Sequence, residues 1–410
     1  MDKPLGASHV AAVVIGATVG VGIFFTPATV AKMLPSPAWI VALWMIGGVI
    51  AIAGAFVFSD LAKKHPNAGG VYVFLREGLG PRTAFLYGWL QLLVIQPGAM
   101  GVIALVLVDH LAVLTGPLPR AACAIAAIAS FTVANLVGLR TGGRIQLAMS
   151  GLKIAALAFV MILGLWPASH GVEPARHVEG WSWMILALIP IQFTFGGSYH
   201  GTFIGGSVRD PERSIPRGIV TGVLIVLVGY VGVNLAYLHL LGHDALAASA
   251  SPAADSAARA IGPTAGKIFA AIIVVSAAGI LNTIGLGFPF VIHAMARDGL
   301  FFSKAAELHP KTGRPNVAVA TQGAIACAAV LAGSARVDLL LLGITFADAA
   351  FQGATAAVLL RWKRSVAAWI FLAVEALIAM ACLVQHPRES AWGVGLLVVG
   401  VIAWSIWKRR

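Results

Sequence analysis

The chain has 410 residues, of which 59% are hydrophobic and only 11% charged, with a mean hydropathy of +0.90. Soluble domains carry about twice that charged fraction, so this much apolar surface needs a lipid solvent rather than one soluble core. The net charge of +12 would suggest nucleic acid in a soluble protein. Here the basic residues fall in short loops between apolar runs, where they act as orientation signals, and no nucleic-acid partner is expected.

A spanning helix needs about 20 mostly apolar residues. The first such run, His9–Leu34, follows Lys3 without a small-residue cleavage site at the usual distance, so it is expected to remain as the first membrane helix. It reads Ile15, Gly16, Ala17, Thr18, Val19, Gly20, Val21, Gly22, Ile23, Phe24, followed by Thr26 and Pro27, which places three glycines near mid-membrane. Glycine lowers the cost of leaving helical geometry. Runs two to five are Ala38–Ala62, Thr83–Leu114, Ala121–Val137 and Ile145–Leu165. The fifth carries Lys153 in its first half, away from the loops that could solvate it. A buried ammonium is costly and marks a functional position by default; the alternative is snorkelling to an interface about two turns away. Run six, Trp181–Gly205, holds Phe193, Thr194, Phe195, Gly196, Gly197, Ser198, Tyr199, His200 and Gly201 at a depth matching the glycines of run one.

The second half gives Ile219–Leu241, Ile268–Met295, Val317–Gly333, Val337–Leu360, Val366–Val384 and Ala391–Trp407, twelve runs in all. An even count puts both termini on one side. If that side is cytoplasmic, the inner loops hold sixteen lysines and arginines, Lys63, Arg76, Arg209, Arg297 and Arg314 among them, against seven in the outer loops. Lysine and arginine excess marks the cytoplasmic side, so the termini are expected inside the cell, in the inner membrane. Cys123, Cys327 and Cys382 lie within apolar runs without a CxxC spacing, so neither disulfides nor a zinc site are indicated and no cofactor is expected. The stretches around His65–Gly80 and Gly242–Gly266 are too short for a nucleotide-binding fold, and no GxxxxGK[ST] loop is present. The whole chain, residues 1–410, is expected to be one transmembrane domain without a hydrolysing engine.

Unwound backbone in hydrocarbon is tolerable only where it lines a cavity or is buried in protein. Paired glycine interruptions in the two halves point to an inverted-repeat transporter site, where exposed amides suit a carboxylate and exposed carbonyls an ammonium. Close helix packing through small residues is the bland alternative for either run taken alone.

At this point the chain resembles the amino acid, polyamine and organocation transporter superfamily, most closely its L-type amino acid transporter branch and similar bacterial proteins. Five blocks carry the resemblance. Gly20–Pro27 resembles the family's G-S-G-I-F segment; Asn67–Tyr72 with Arg76, Gly80 and Pro81 resembles its loop after helix 2. Asn135–Gly143 with Gln146 and Lys153, Asp210–Arg217 after helix 6, and Ala296–Gly299 after helix 8 complete the set. The resemblance implies a LeuT-like fold: two inverted five-helix repeats (about 9–165 and 181–360) with helices 1 and 6 discontinuous, and peripheral helices 11 and 12 over about 366–407. It implies a substrate site at Thr18, Val19, Gly20, Val21, Gly22 and Ile23 in helix 1 and at Phe193, Thr194, Phe195 and Gly196 in helix 6. The carboxylate should meet amides near Val21 and Gly22, the ammonium the carbonyls of Thr18, Phe193 and Gly196, with Phe193 as external lid. It places Lys153 between helices 1 and 8, where sodium-coupled cousins hold a cation, either as a titrating proton site or as a fixed strut. Two departures matter: Gly206 and Ser207 replace a glutamate pair found in many relatives, and Val21 replaces the serine of G-S-G.

The function implied is sodium-independent transport of a small neutral L-amino acid, by exchange or proton coupling. Basic amino acids or polyamines are the alternative, with Asp348 or an aromatic face holding the extra charge. Tyr199 and His200 are candidates for side-chain selectivity, His200 as a packed neutral ring; Glu375, on a peripheral helix, has no evident role. No HExxH or GxSxG motif supports an intramembrane enzyme, and discontinuous helices favour an occluding site over an open channel. Relatives that pair with an ancillary subunit use an extracellular cysteine; all three cysteines here lie within spans, so no such subunit is expected.

Overall fold

The computed structural model describes residues 5–20, 22–67, 69–167, 182–262, 264–333, 337–385 and 387–407. These residues are almost wholly helical, and their one β pairing is an isolated parallel bridge between Leu5 and Val208. The first apolar run is split into α1 (Ala7–Thr18) and α2 (Gly22–Met33), bent by 48° at the break. After α3 (Pro37–Lys64) and the short α4 (Val71–Leu79), the third run is α5 (Pro81–Leu90), one π turn (Gln91–Ile95) and α6 (Gln96–Thr115), continuous over 35 residues. Then come α7 (Arg120–Val137) and α8 (Leu139–Leu163). The sixth run is again split, into α9 (Ser182–Phe195) and α10 (His200–Phe203).

The second half contains α11 (Pro211–Leu241), α12 (His243–Ala248), α13 (Pro252–Ile261), α14 (Ala265–Gly287), α15 (Pro289–Arg297), α16 (Asn316–Gly333) and α17 (Val337–Trp362). α18 (Val366–Gln385) and α19 (Pro387–Trp407) close the chain. Among the described residues seven helices are long and apolar enough to cross a bilayer, or eight if α1 and α2 count as one span. The chain is thus an all-helical, multi-pass membrane protein.

Two local features differ from the sequence expectation. The Asp210–Arg217 block, expected as a loop, forms the first turns of α11: Asp210 turns the chain at φ 50°, and Pro211 starts the helix where its missing N–H costs nothing. The π turn in the third run was not expected. Pro97 cannot donate to the carbonyl four residues back, and the Gln96 amide bonds Gln91, five residues back, so the ladder slips by one.

Arg314, expected among the loop charges, is instead fully buried. Its Nη1 and Nη2 donate to the carbonyls of Leu286 (2.8 Å) and Gly285 (2.7 Å). Pro289 lacks the N–H that the Gly285 carbonyl would otherwise receive, so the guanidinium repairs the junction of α14 and α15. Burial pulls Arg314 down to about 9, which leaves it charged at neutral pH.

Contacts fasten the end of the bundle where α1 begins. The Leu5 amide donates to the Ser207 carbonyl (3.3 Å) and the Arg209 amide to the Leu5 carbonyl (2.8 Å), while the Gly69 amide reaches the Phe203 carbonyl (3.2 Å). Arg76 Nη1 grips both oxygens of Asp298 (2.5 and 2.6 Å), and the Tyr72 hydroxyl donates to the same carboxylate (2.7 Å). Asp298 thereby holds the Arg76 guanidinium above its ordinary range.

Candidate functional site

Stopping α1 at Thr18 leaves its last carbonyls without helical donors. Three carbonyls at the break are met, each from a different helix. Lys153 Nζ in α8 donates to the Gly16 carbonyl (2.8 Å), the Tyr230 hydroxyl in α11 to Thr18 (2.7 Å), and the Ser276 hydroxyl in α14 to Val19 (3.3 Å). Tyr230 also lies 3.2 Å from the Thr194 carbonyl, so one phenol pins the ends of both broken helices.

The two breaks touch. Gly197 has φ 115°, a region L side chains rarely adopt, and a Cβ there would stand 2.9 Å from both the Ala17 carbonyl carbon and the Ala17 Cβ. Only glycine supplies both the turn and the approach. Gly22 opens α2 with a Cβ position 3.3 Å from the Thr194 hydroxyl and methyl, and that hydroxyl bonds Thr26 (3.0 Å). α2 therefore begins beside the end of α9, with the positive end of its dipole at the junction.

Around the junction lies a cavity of about 280 Å³. This is at or just below the lower end of small-molecule sites, about 300–1,000 Å³. Of the residues expected in the substrate site, Thr18, Gly20, Gly22, Phe193, Thr194, Phe195 and Gly196 line it. Val19 and Ile23 are buried and outside the lining, while Val21 lies outside the described residues. The Thr18 carbonyl, expected for the substrate ammonium, already accepts Tyr230 and keeps one lone pair. The Thr18 hydroxyl is buried without a partner. The Phe193 carbonyl accepts the Gly196 amide (3.1 Å), and the Phe193 ring is 62% exposed, at the mouth of the cavity. Behind it Phe195 packs with Trp44 and Tyr230, ring centroids 5.9 and 5.0 Å away.

Lys153 is 1% exposed and does not line the cavity. It extends a polar face of α8 built at helical spacing: Gln146 Nε2 and the Ser150 hydroxyl both donate to the Ala12 carbonyl (3.0 and 2.7 Å). A Cβ on Gly279 in α14 would stand 2.7 Å from Lys153 Cε, so the ammonium sits between α1 and α14, where the resemblance placed it.

Several residues in or behind the cavity wall had no sequence signal. Tyr230 is one of five tyrosines, inside an uninterrupted apolar run. Gln96, just after the π turn, lines the cavity, and Gln91 is buried behind the wall, where its Nε2 donates to Asp348 Oδ1 (3.1 Å). Glu375, expected on a peripheral helix, lines the cavity together with Asp348 and Gln352.

A family model described as amino acid permease matches residues 5–404. The chain is 30% identical over 334 residues to the serine/threonine exchanger SteT of Bacillus subtilis, covering 80% of this chain and 76% of that protein. It is 25% identical to the mouse b(0,+)-type amino acid transporter 1, with 96% of this chain and 84% of that protein covered. It is also 25% identical to the mouse large neutral amino acids transporter small subunit 2, covering 98% and 80%.

Proposed function

The chain belongs to the amino acid permease family, and on that premise we propose that it carries a small neutral L-amino acid across the inner membrane by sodium-independent alternating access. The observation that carries this reading is the contact of the two helix breaks, Gly197 against Ala17, beside a cavity of about 280 Å³. The substrate carboxylate meets the free amides that open α2 at Gly22; the ammonium meets carbonyls at the ends of α1 and α9, Thr18 and Phe193 among them. Phe193 folds over the mouth as the lid.

In the proposed arrangement twelve spans form two inverted five-helix repeats, about 9–165 and 181–360, with 366–407 peripheral and both termini cytoplasmic. The fastened end of the bundle is then the cytoplasmic one. Transport requires the Leu5 to Arg209 pairing and the Arg76 to Asp298 pair to open as Phe193 closes. Lys153 occupies the space between α1 and α14 with its own charge, which supports sodium independence. The relative named an exchanger supports exchange over net uptake. Another relative's name marks it as one subunit of an assembly; the placement of Cys123, Cys327 and Cys382 within helices supports a chain working without such a partner.

Basic amino acids are the second reading, favoured by Asp348 in the cavity wall. Proteoliposomes loaded with unlabelled alanine or serine decide between them. Labelled alanine should enter by exchange without sodium. Failure of every neutral amino acid, with arginine or putrescine entering, would reverse the assignment.

A further inference from the structure

Part of the cavity wall is polar, acidic and unfilled. The chain of amides begins at Gln96, whose Nε2 donates to Gln91 Oε1 (2.7 Å), and continues from Gln91 Nε2 to Asp348 Oδ1 (3.1 Å). Both amides spend a donor in this direction, so the chain ends on a carboxylate. Glu375 is only 9% exposed. Gln352, 4% exposed, has both amide atoms buried and unpartnered. All three side chains line the same cavity as the helix breaks, and among the described residues lining it no lysine or arginine is found, His200 being the one basic-type side chain.

Buried polar groups are nearly always hydrogen-bonded, and the Gln352 amide, beside two carboxyls that line the same cavity, lacks a partner for both of its atoms. An isolated polar group would not identify that partner. Two carboxyls and an amide narrow it: most of their lone pairs accept, Gln352 Oε1 among them, while Gln352 Nε2 can donate to a neighbouring oxygen, so the group that suits this wall is one that brings a donor. The apolar remainder, Ile103, Ile280 and Ile378 among it, gives an aliphatic side chain only packing contact.

The geometry points to a side-chain subsite formed by Asp348, Gln352 and Glu375, which receives a hydrogen-bond donor, hydroxyl or amino, at the end of the substrate's side chain. The inference rests on the proposed amino acid site at the helix breaks and deepens it. The backbone dipoles hold the part common to all amino acids, and α17 and α18 choose among side chains. A site with acceptors in place rejects an isostere that lacks the donor, because its own buried groups are then left unpaired.

The test is competition against exchange of labelled alanine, with two near-isosteric pairs: threonine against valine, and 2,4-diaminobutyrate against norvaline. The subsite predicts that at least one donor-bearing member competes about tenfold or more better than its partner. That preference should fall toward one in Gln352→Leu and in Glu375→Gln. Melting of each purified variant without ligand establishes which of them is folded, and the folded one is scored. The first pair identifies a hydroxyl ligand, the second an amino group. Equal competition within both pairs overturns the subsite while leaving alanine exchange, and the proposed function, intact. A preference that persists unchanged in a folded variant also overturns it, since the discrimination then lies elsewhere. If alanine itself does not exchange, the same pairs are read as ligand-induced melting shifts. A threonine or diaminobutyrate shift that the variants abolish retains the subsite, and no selective shift removes it.

Discussion

Lys153→Met separates a transport role from a structural one. In the folded protein the ammonium is 1% exposed and bonded to the Gly16 carbonyl at 2.8 Å, with no carboxylate beside it among the described residues. Burying an ammonium costs several kcal/mol, and the substitution removes that cost. Against this stands the lost hydrogen bond from a charged donor, about 1.5–3 kcal/mol, and the Gly16 carbonyl left without a donor, about 1–3 kcal/mol. The terms nearly cancel, so the melting temperature should move little, corresponding to no more than about 2 kcal/mol. Transport should behave differently. If the charge between α1 and α14 holds the break in its working geometry, alanine exchange should drop at least tenfold. Gly279→Ala gives a second arm: its Cβ would stand 2.7 Å from Lys153 Cε, displacing the ammonium without removing its charge. The assay pairs melting of purified protein with exchange in proteoliposomes. Full exchange by a folded Lys153→Met would refute the reasoning, as would a collapse of the fold with Gly279→Ala harmless.

Three more substitutions probe the site and its frame. Gly197→Ala should lose about 2–5 kcal/mol of stability and raise the KM for alanine, because the new Cβ meets both positive φ and Ala17; melting and uptake kinetics check it. Tyr230→Phe removes one donor shared by the Thr18 and Thr194 carbonyls and should cost about 1–3 kcal/mol with a raised KM; an unchanged KM would place the phenol outside the working site. Arg314→Met should cost about 1–3 kcal/mol, since two buried carbonyls lose their charged donors while relief of the buried guanidinium's desolvation offsets part of that loss. Arg314→Lys should recover only part of it, because one ammonium cannot reproduce the two-pronged grip.

The parts of the fold legible in the sequence were those with a local signature. Apolar runs marked the helices, and Gly16 to Gly22 and Gly196 to Gly197 marked where two of them stop. Glycine is required at Gly197 by φ and by contact, so the pattern and its cause coincide. What the sequence could not show depends on rotation of one helix against another. Gln91 reaches Asp348 and Gln96 faces the cavity where the ladder slips by one residue before Pro97, and Glu375 faces it where α18 packs against α17. Lys153 was visible as a charge out of place; its partner is a backbone carbonyl, which leaves no trace in a side-chain sequence. Arg314 was counted with the solvated loop charges because its partners, Gly285 and Leu286, are again main-chain atoms.

The most direct measurement is a cryo-electron microscopy map of the protein in lipid with an exchanged amino acid bound. The carboxylate should lie on the amides that open α2 at Gly22 and the ammonium within hydrogen-bond reach of the Thr18 and Phe193 carbonyls. Density for the ligand away from both breaks, or first and sixth runs that continue as unbroken helices, would contradict the account.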